Sequence, residues 1–128
     1  MKKLIFLLLA VMMLTACGEL NKTDREATYM NITAEEAKGI MDREEGYIIL
    51  DVRTQEEYDQ GHIPGAIQIS HEEIAEKAED VLTDKDQLIL VYCRSGRRSK
   101  IAAEILVDLG YTNIKEFGGI LDWPYEVE

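Results

Sequence analysis

Cysteine is scarce in this 128-residue chain, which holds only Cys17 and Cys93, and that scarcity excludes a small fold stapled by several disulfides. Histidine is equally rare. The two histidines and two cysteines do not stand at metal-ligand spacing, so no metal or other cofactor is expected. Positive charge is also in deficit: 14 Lys and Arg against 25 Asp and Glu leave a formal net charge of -11, which argues against nucleic acid as a partner. Internal repeats and low-complexity tracts are lacking, and the length suits one domain able to bury its own core.

The apolar run "LIFLLLAVMML", Leu4 to Leu14, is too short to cross a bilayer comfortably and follows Lys2 and Lys3. It reads as a secretory signal peptide over residues 1–16. The following "LTAC", Leu14 to Cys17, resembles the lipoprotein signal of bacteria. That resemblance implies lipidation of Cys17, anchoring to the cell membrane on its outer side, and a polar tether through Thr28. Cys93 then has no partner within the chain.

From Tyr29 to Glu128 strand-like and helix-like runs alternate. "YMNI" reads as a short strand, and Thr33 with Glu36 forms a capping box for a helix to about Arg43. "YIILDV" (47–52) and "LILVY" (88–92) are continuous apolar runs, as strands buried on both faces require. Thr54 with Glu57 opens a second helix, "GHIPGA" (61–66) turns into the strand "AIQI", and Ser70 with Glu73 is expected to cap a third helix to about Leu82. Ile101, Ile105 and Leu109 mark the apolar stripe of a fourth helix that Gly110 ends, before a last strand, "NIKEF", and a short helical turn in "GGILDWPYEV". Such alternation predicts an α/β fold, a mostly parallel sheet with helices on both faces, whose ligands sit at the carboxyl ends of strands. Asp51 and Cys93 both fall there.

Acids are missing altogether between Asp86 and Glu104, where "VYCRSGRRSK" sets Arg94, Arg97, Arg98 and Lys100 around Cys93. A loop that leaves a strand and opens a helix near Arg97 points backbone N–H groups at one spot, favouring an anion. A thiolate is one such anion, and helix N-termini and arginines promote its formation. Gly96 permits a tight curl, and Ser95 and Ser99 either donate to whatever the sulfur carries or cap the helix. Screening over about 8 Å keeps any attraction of an anionic donor local.

Tyrosine phosphatases place five residues between their cysteine and arginine, whereas four separate Cys93 from Arg98, a cradle better matched to one added sulfur atom. "DVRTQEEYDQGHIPGAIQI", then "VYCRSGRRS", then "GGILDW" resembles a single-domain rhodanese over residues 29–128. The resemblance implies a three-layer fold with about five strands. It also implies a sulfurtransferase in which Cys93 takes a sulfane sulfur from a thiosulfate or persulfide donor and hands it to a thiol or cyanide. Arg94, Ser95, Gly96, Arg97, Arg98 and Ser99 would hold the persulfide and the anionic substrate. Two other classes stay open: a non-catalytic or redox-sensing interaction module, and a small-oxyanion phosphatase or arsenate-type reductase.

Asp51 and Arg53 either support that loop or, the blander and favoured account, tie "DVR" to the helix at Glu56 and Glu57. His62 is expected to stabilise the turn before Pro64, and His71 to sit on the surface. Trp123 and Tyr125 either fill the core, the favoured account, or edge the pocket. The acidic stretch Glu72 to Asp80 reads as a solvated face.

Overall fold

The computed structural model describes residues 28–128. The signal peptide at 1–16, lipidation of Cys17 and the tether up to residue 27 therefore lie outside the described residues. Five strands, β1 (Met30–Asn31), β2 (Ile48–Asp51), β3 (Ile67–Gln68), β4 (Ile89–Cys93) and β5 (Ile114–Gly119), form one sheet in the order β1-β5-β4-β2-β3. Every pairing is parallel. Four helices connect them: α1 (Ala34–Arg43), α2 (Gln55–Gln60), α3 (Ile74–Val81) and α4 (Arg97–Asp108), followed by a 3-10 turn at Ile120–Asp122.

β4 runs through the middle of the sheet, and all five of its residues are buried. Alternate side chains serve opposite faces, as the two-residue period of a strand demands. Ile89, Val91 and Cys93 join Leu50, Ile74, Ala78, Ala102 and Leu106 in a core beneath α3 and α4. Leu90 and Tyr92 point the other way and meet Ile49, Ala37, Ile40, Phe117 and Trp123, with Tyr58 of α2 against them. The result is the three-layer α/β arrangement, with helices on both faces, read from the sequence.

Both threonine boxes form: Thr33 accepts from Glu36 N–H at 3.0 Å and Thr54 from Glu57 N–H at 3.2 Å. The expected Ser70–Glu73 box does not. Ile69 N–H and His71 N–H donate to Asp51 and Val52 carbonyls at 3.0 Å, so the chain is still following β2 at residue 71. Glu73 N–H then closes a turn onto the Ser70 carbonyl at 2.8 Å, and α3 starts only at Ile74 with no side-chain cap. Sheet pairing overrides the local capping signal.

The pairing of β4 with β5 slips. Val91 stands opposite Glu116, but Cys93 stands opposite Gly119, so β5 carries one extra residue. A bulge of this kind bends a strand and re-aims the residues beyond it. Here it carries β5 past "NIKEF" and sets two glycines beside the exit of β4.

Tyr92 ties β4 to the turn after α2. Its hydroxyl donates to Asp51 Oδ2 at 2.6 Å and accepts from Ile63 N–H at 3.1 Å. Burial, reinforced by the Asp51 bond, pushes the phenol well above its ordinary range and keeps it a donor. Tyr92→Phe leaves the Ile63 amide without that acceptor, and a loss of about 1–3 kcal/mol is expected. Urea unfolding of the two proteins measures it, and an unchanged midpoint at equal slope refutes the assignment.

Candidate active site

Gly96 sets the geometry of the loop. Its φ of 109° is the left-handed region that only glycine enters readily, and it folds the chain back after Arg94 and Ser95. The Gly96 N–H thereby donates to Cys93 Sγ at 3.0 Å, and Ser99 Oγ lies 3.4 Å from the same sulfur. Helix α4 begins at the next residue. Among the described residues the first-turn amides of Arg97, Arg98 and Ser99 find no backbone acceptor, as at any helix start. Cys93 itself is 1% exposed, at the floor of the loop and at the edge of the α3–α4 core.

From below, β5 closes on the loop. A Cβ on Gly119 would overlap the Arg94 carbonyl and the Ser95 amide. Gly118 lies behind Gly96, its Cα 3.5 Å from where a Gly96 Cβ would stand. Leu121 N–H donates to the Arg94 carbonyl at 3.2 Å and fixes the loop from the 3-10 turn.

The basic residues of the loop differ in their surroundings. Arg97 and Lys100 are exposed, and Arg94, also exposed, turns into a neighbouring cleft of about 460 Å³. Arg98 is half-buried and is clamped by Glu57 of α2 through two bonds of 2.7 and 2.9 Å. The groups bonded to the sulfur itself are one amide and one hydroxyl. Ser95 is exposed, and Ser99 is fully buried.

Asp51 and Arg53 form a unit of their own. Arg53 Nη2 meets Asp51 Oδ2 at 2.6 Å and the Gly61 carbonyl at 2.7 Å, while Asp51 Oδ1 accepts Arg53 N–H at 2.9 Å. Arg53 thus pairs with Asp51, two residues away, rather than with Glu56 or Glu57. The pair joins the end of β2 to "GHIPGA" and places Arg53 on the wall of the cleft. His62 does brace that turn, but through α2 and the chain end: its ring stacks on Tyr58 at 3.8 Å, and its backbone pairs with Glu128. His71 is half-buried. Trp123 is buried, as expected, whereas Tyr125 is 36% exposed, and both line the cleft.

A sequence model of the rhodanese-like domain matches residues 33–125. The chain belongs to the rhodanese-like domain family. It is 42% identical over 73 residues to the thiosulfate sulfurtransferase PspE of Escherichia coli strain K12, a match spanning 57% of this chain and 70% of that protein. The putative sulfur carrier protein YrkF of Bacillus subtilis strain 168 is 33% identical over 112 residues, covering 87% of this chain but only 60% of the relative. Among solved structures, an E. coli rhodanese with anions aligns at a TM-score of 0.60 and 38% identity over 64% of this chain and 96% of that one. A thiosulfate sulfurtransferase from Pseudomonas aeruginosa reaches a TM-score of 0.70 at 27% identity over 87% of this chain and 22% of its own length. These relatives place the chain among rhodanese-type sulfurtransferase homologues.

Four residues not assigned to the site from the sequence contribute to it. Gly118 and Gly119 support the loop, Glu57 anchors Arg98, and Glu116, 2% exposed, bonds Ser99 Oγ at 2.5 Å. "GG" after a strand and Glu57 in its capping box carried a signal, and Glu116 carried none. Gly119→Ala is expected to destabilise the domain by about 3 kcal/mol through overpacking. Denaturant titration checks this, and a change below a few tenths would show that the loop has room to give.

The Arg98 bond, helped by Thr54, holds Glu57 down from an ordinary 4.5 to about 2. Because the folded value is depressed, the pair stabilises the fold fully above pH 4.5 and loses that effect as pH falls through about 2. In acid titrations, wild type and Glu57→Gln should differ at neutral pH and converge near that lower limit. Parallel curves throughout would sever the link.

Proposed function

We propose that this protein is a sulfurtransferase that moves a sulfane sulfur from a small anionic donor, thiosulfate or a persulfide, through Cys93 to a thiol or cyanide acceptor. The observation that carries this reading is the seat of Cys93: it closes the central strand with Sγ against the Gly96 amide and directly before the first turn of α4. Negative charge on sulfur is favoured there by the amide and the helix dipole. Membership of the rhodanese-like family, with relatives named for thiosulfate, supports the donor class.

The Cys93 thiolate attacks the outer sulfur of thiosulfate. The sulfur–sulfur bond of the donor breaks, sulfite leaves with the electron pair, and Cys93 carries a persulfide anion. The amides of Arg97, Arg98 and Ser99, which have no backbone acceptor at the start of α4, are donors available to an added sulfur. An acceptor thiolate or cyanide then attacks the terminal sulfur and releases the Cys93 thiolate. No proton or external oxidant is consumed in either step.

The cleft beside the loop offers Arg94 and Arg53 to an anion, with Ile120, Trp123 and Val127 as an apolar wall. Anchoring through Cys17, with the domain outside the cell membrane, belongs to the same proposal and rests on the leader sequence. Incubation with thiosulfate followed by intact-mass measurement should add one sulfur atom to the wild type and none to Cys93→Ala. Equal cyanide-dependent turnover in both proteins would end the assignment, and a specific mixed disulfide without sulfur uptake would favour a sensor.

A further inference from the structure

Two acids are buried among the described residues, Asp51 and Glu116. Asp51 is neutralised by Arg53. Glu116 forms no ion pair among the described residues, and the sulfur-transfer chemistry gives it no task. The groups that face it are Ser99 of α4, the Gly118 amide of its own strand, and Tyr29 ahead of β1, which Glu104 of α4 also approaches. Toward Cys93 the facing charge is Arg98, paired with Glu57 of α2.

Ser99 Oγ has one hydrogen and four polar neighbours. Glu116 Oε2 is 2.5 Å away, the Gly96 carbonyl 3.0 Å, the Gly118 carbonyl 3.3 Å and Cys93 Sγ 3.4 Å. The carboxylate is both the nearest and the charged acceptor, so it takes the hydroxyl hydrogen. The lone pairs of Ser99 then face Cys93, and the thiol donates its hydrogen to them. With exposures of 1%, 0% and 2%, Cys93, Ser99 and Glu116 are enclosed together, and the carboxylate is the acceptor bonded closest along this chain.

We propose that Glu116 is a positioning residue that receives the thiol proton of Cys93 through Ser99. The S–H bond of Cys93 breaks as Ser99 Oγ takes that proton, and the original Ser99 hydrogen passes to Glu116 Oε2. One proton and one negative charge exchange places, and nothing is oxidised or reduced. The thiolate then accepts from both the Gly96 amide and the Ser99 hydroxyl, beside a neutral carboxyl group instead of a second anion. This rests on Cys93 being the nucleophile of the proposed reaction.

Alkylation of Cys93 by iodoacetamide tests the relay without any sulfur donor or acceptor, so its failure is separable from failure of sulfur transfer. At neutral pH, Glu116→Gln should lower the second-order rate constant about a hundredfold, the lower end of the usual range for a lost proton acceptor. Ser99→Ala should cost a similar factor, and the double variant no more than either, because the residues act as one unit. In the unsubstituted protein, alkylation should remove a protonated-carboxyl band from the infrared difference spectrum, and this measurement decides even if a variant fails to fold. A folded Glu116→Gln that alkylates at the wild-type rate, factors that multiply in the double variant, or no carboxyl band change would each overturn the relay. Sulfur uptake lost with the alkylation behaviour intact would instead count against the transferase reading alone.

Discussion

Close approach of β5 to the peptide between Arg94 and Ser95 is the constraint on which the site depends. Only a residue without a Cβ fits at Gly119. The bulge that shifts Cys93 opposite Gly119, rather than one residue earlier, delivers it there. With the floor fixed, Gly96 completes the curl at a φ of 109° and its amide meets the sulfur. Remove the close approach and neither the amide nor Ser99 has a reason to stand where it does.

Much of the fold was legible because its determinants are local. Apolar runs without alternation announced β2 and β4 as strands covered on both sides, and threonine boxes announced α1 and α2. Ser70 and Glu73 show the limit: the same box pattern failed because residues 69 and 71 were committed to pairing with β2, a contact that local spacing does not record. The bulge in β5 was invisible for the same reason. It exists only relative to its neighbour β4.

The site divides in the same way. Cys93, Gly96 and Ser99 were readable from a strand, a glycine and a helix start in succession. The fate of the arginines was not, because charge in a sequence says nothing of pairing. Arg98 spends its guanidinium on Glu57, 41 residues away, and Arg94 faces a cleft instead of the sulfur. A cluster of bases around a cysteine therefore resolves into one cation held beside the thiol and others free to meet solvent or substrate. Short-range hydrogen bonds, rather than a diffuse positive field, set the environment of Cys93 in a chain of net charge -11.

Asp51 and Glu116 sit on the two strands that flank β4, one at each edge, both buried, and differ in one respect. Asp51 has a guanidinium against it, so its charge is spent on holding the end of β2 to the following turn. Glu116 has only an amide and a hydroxyl, donors that stabilise it without neutralising it. A buried carboxylate matched by a cation is structural, since removing either partner strands the other. One matched by a single shared hydrogen is linked to whatever else that hydrogen can reach, and here that is the sulfur of Cys93. Burial of the nucleophile and burial of an unpaired acid are thus one arrangement: a thiol closed off from water loses its proton only to a group enclosed with it.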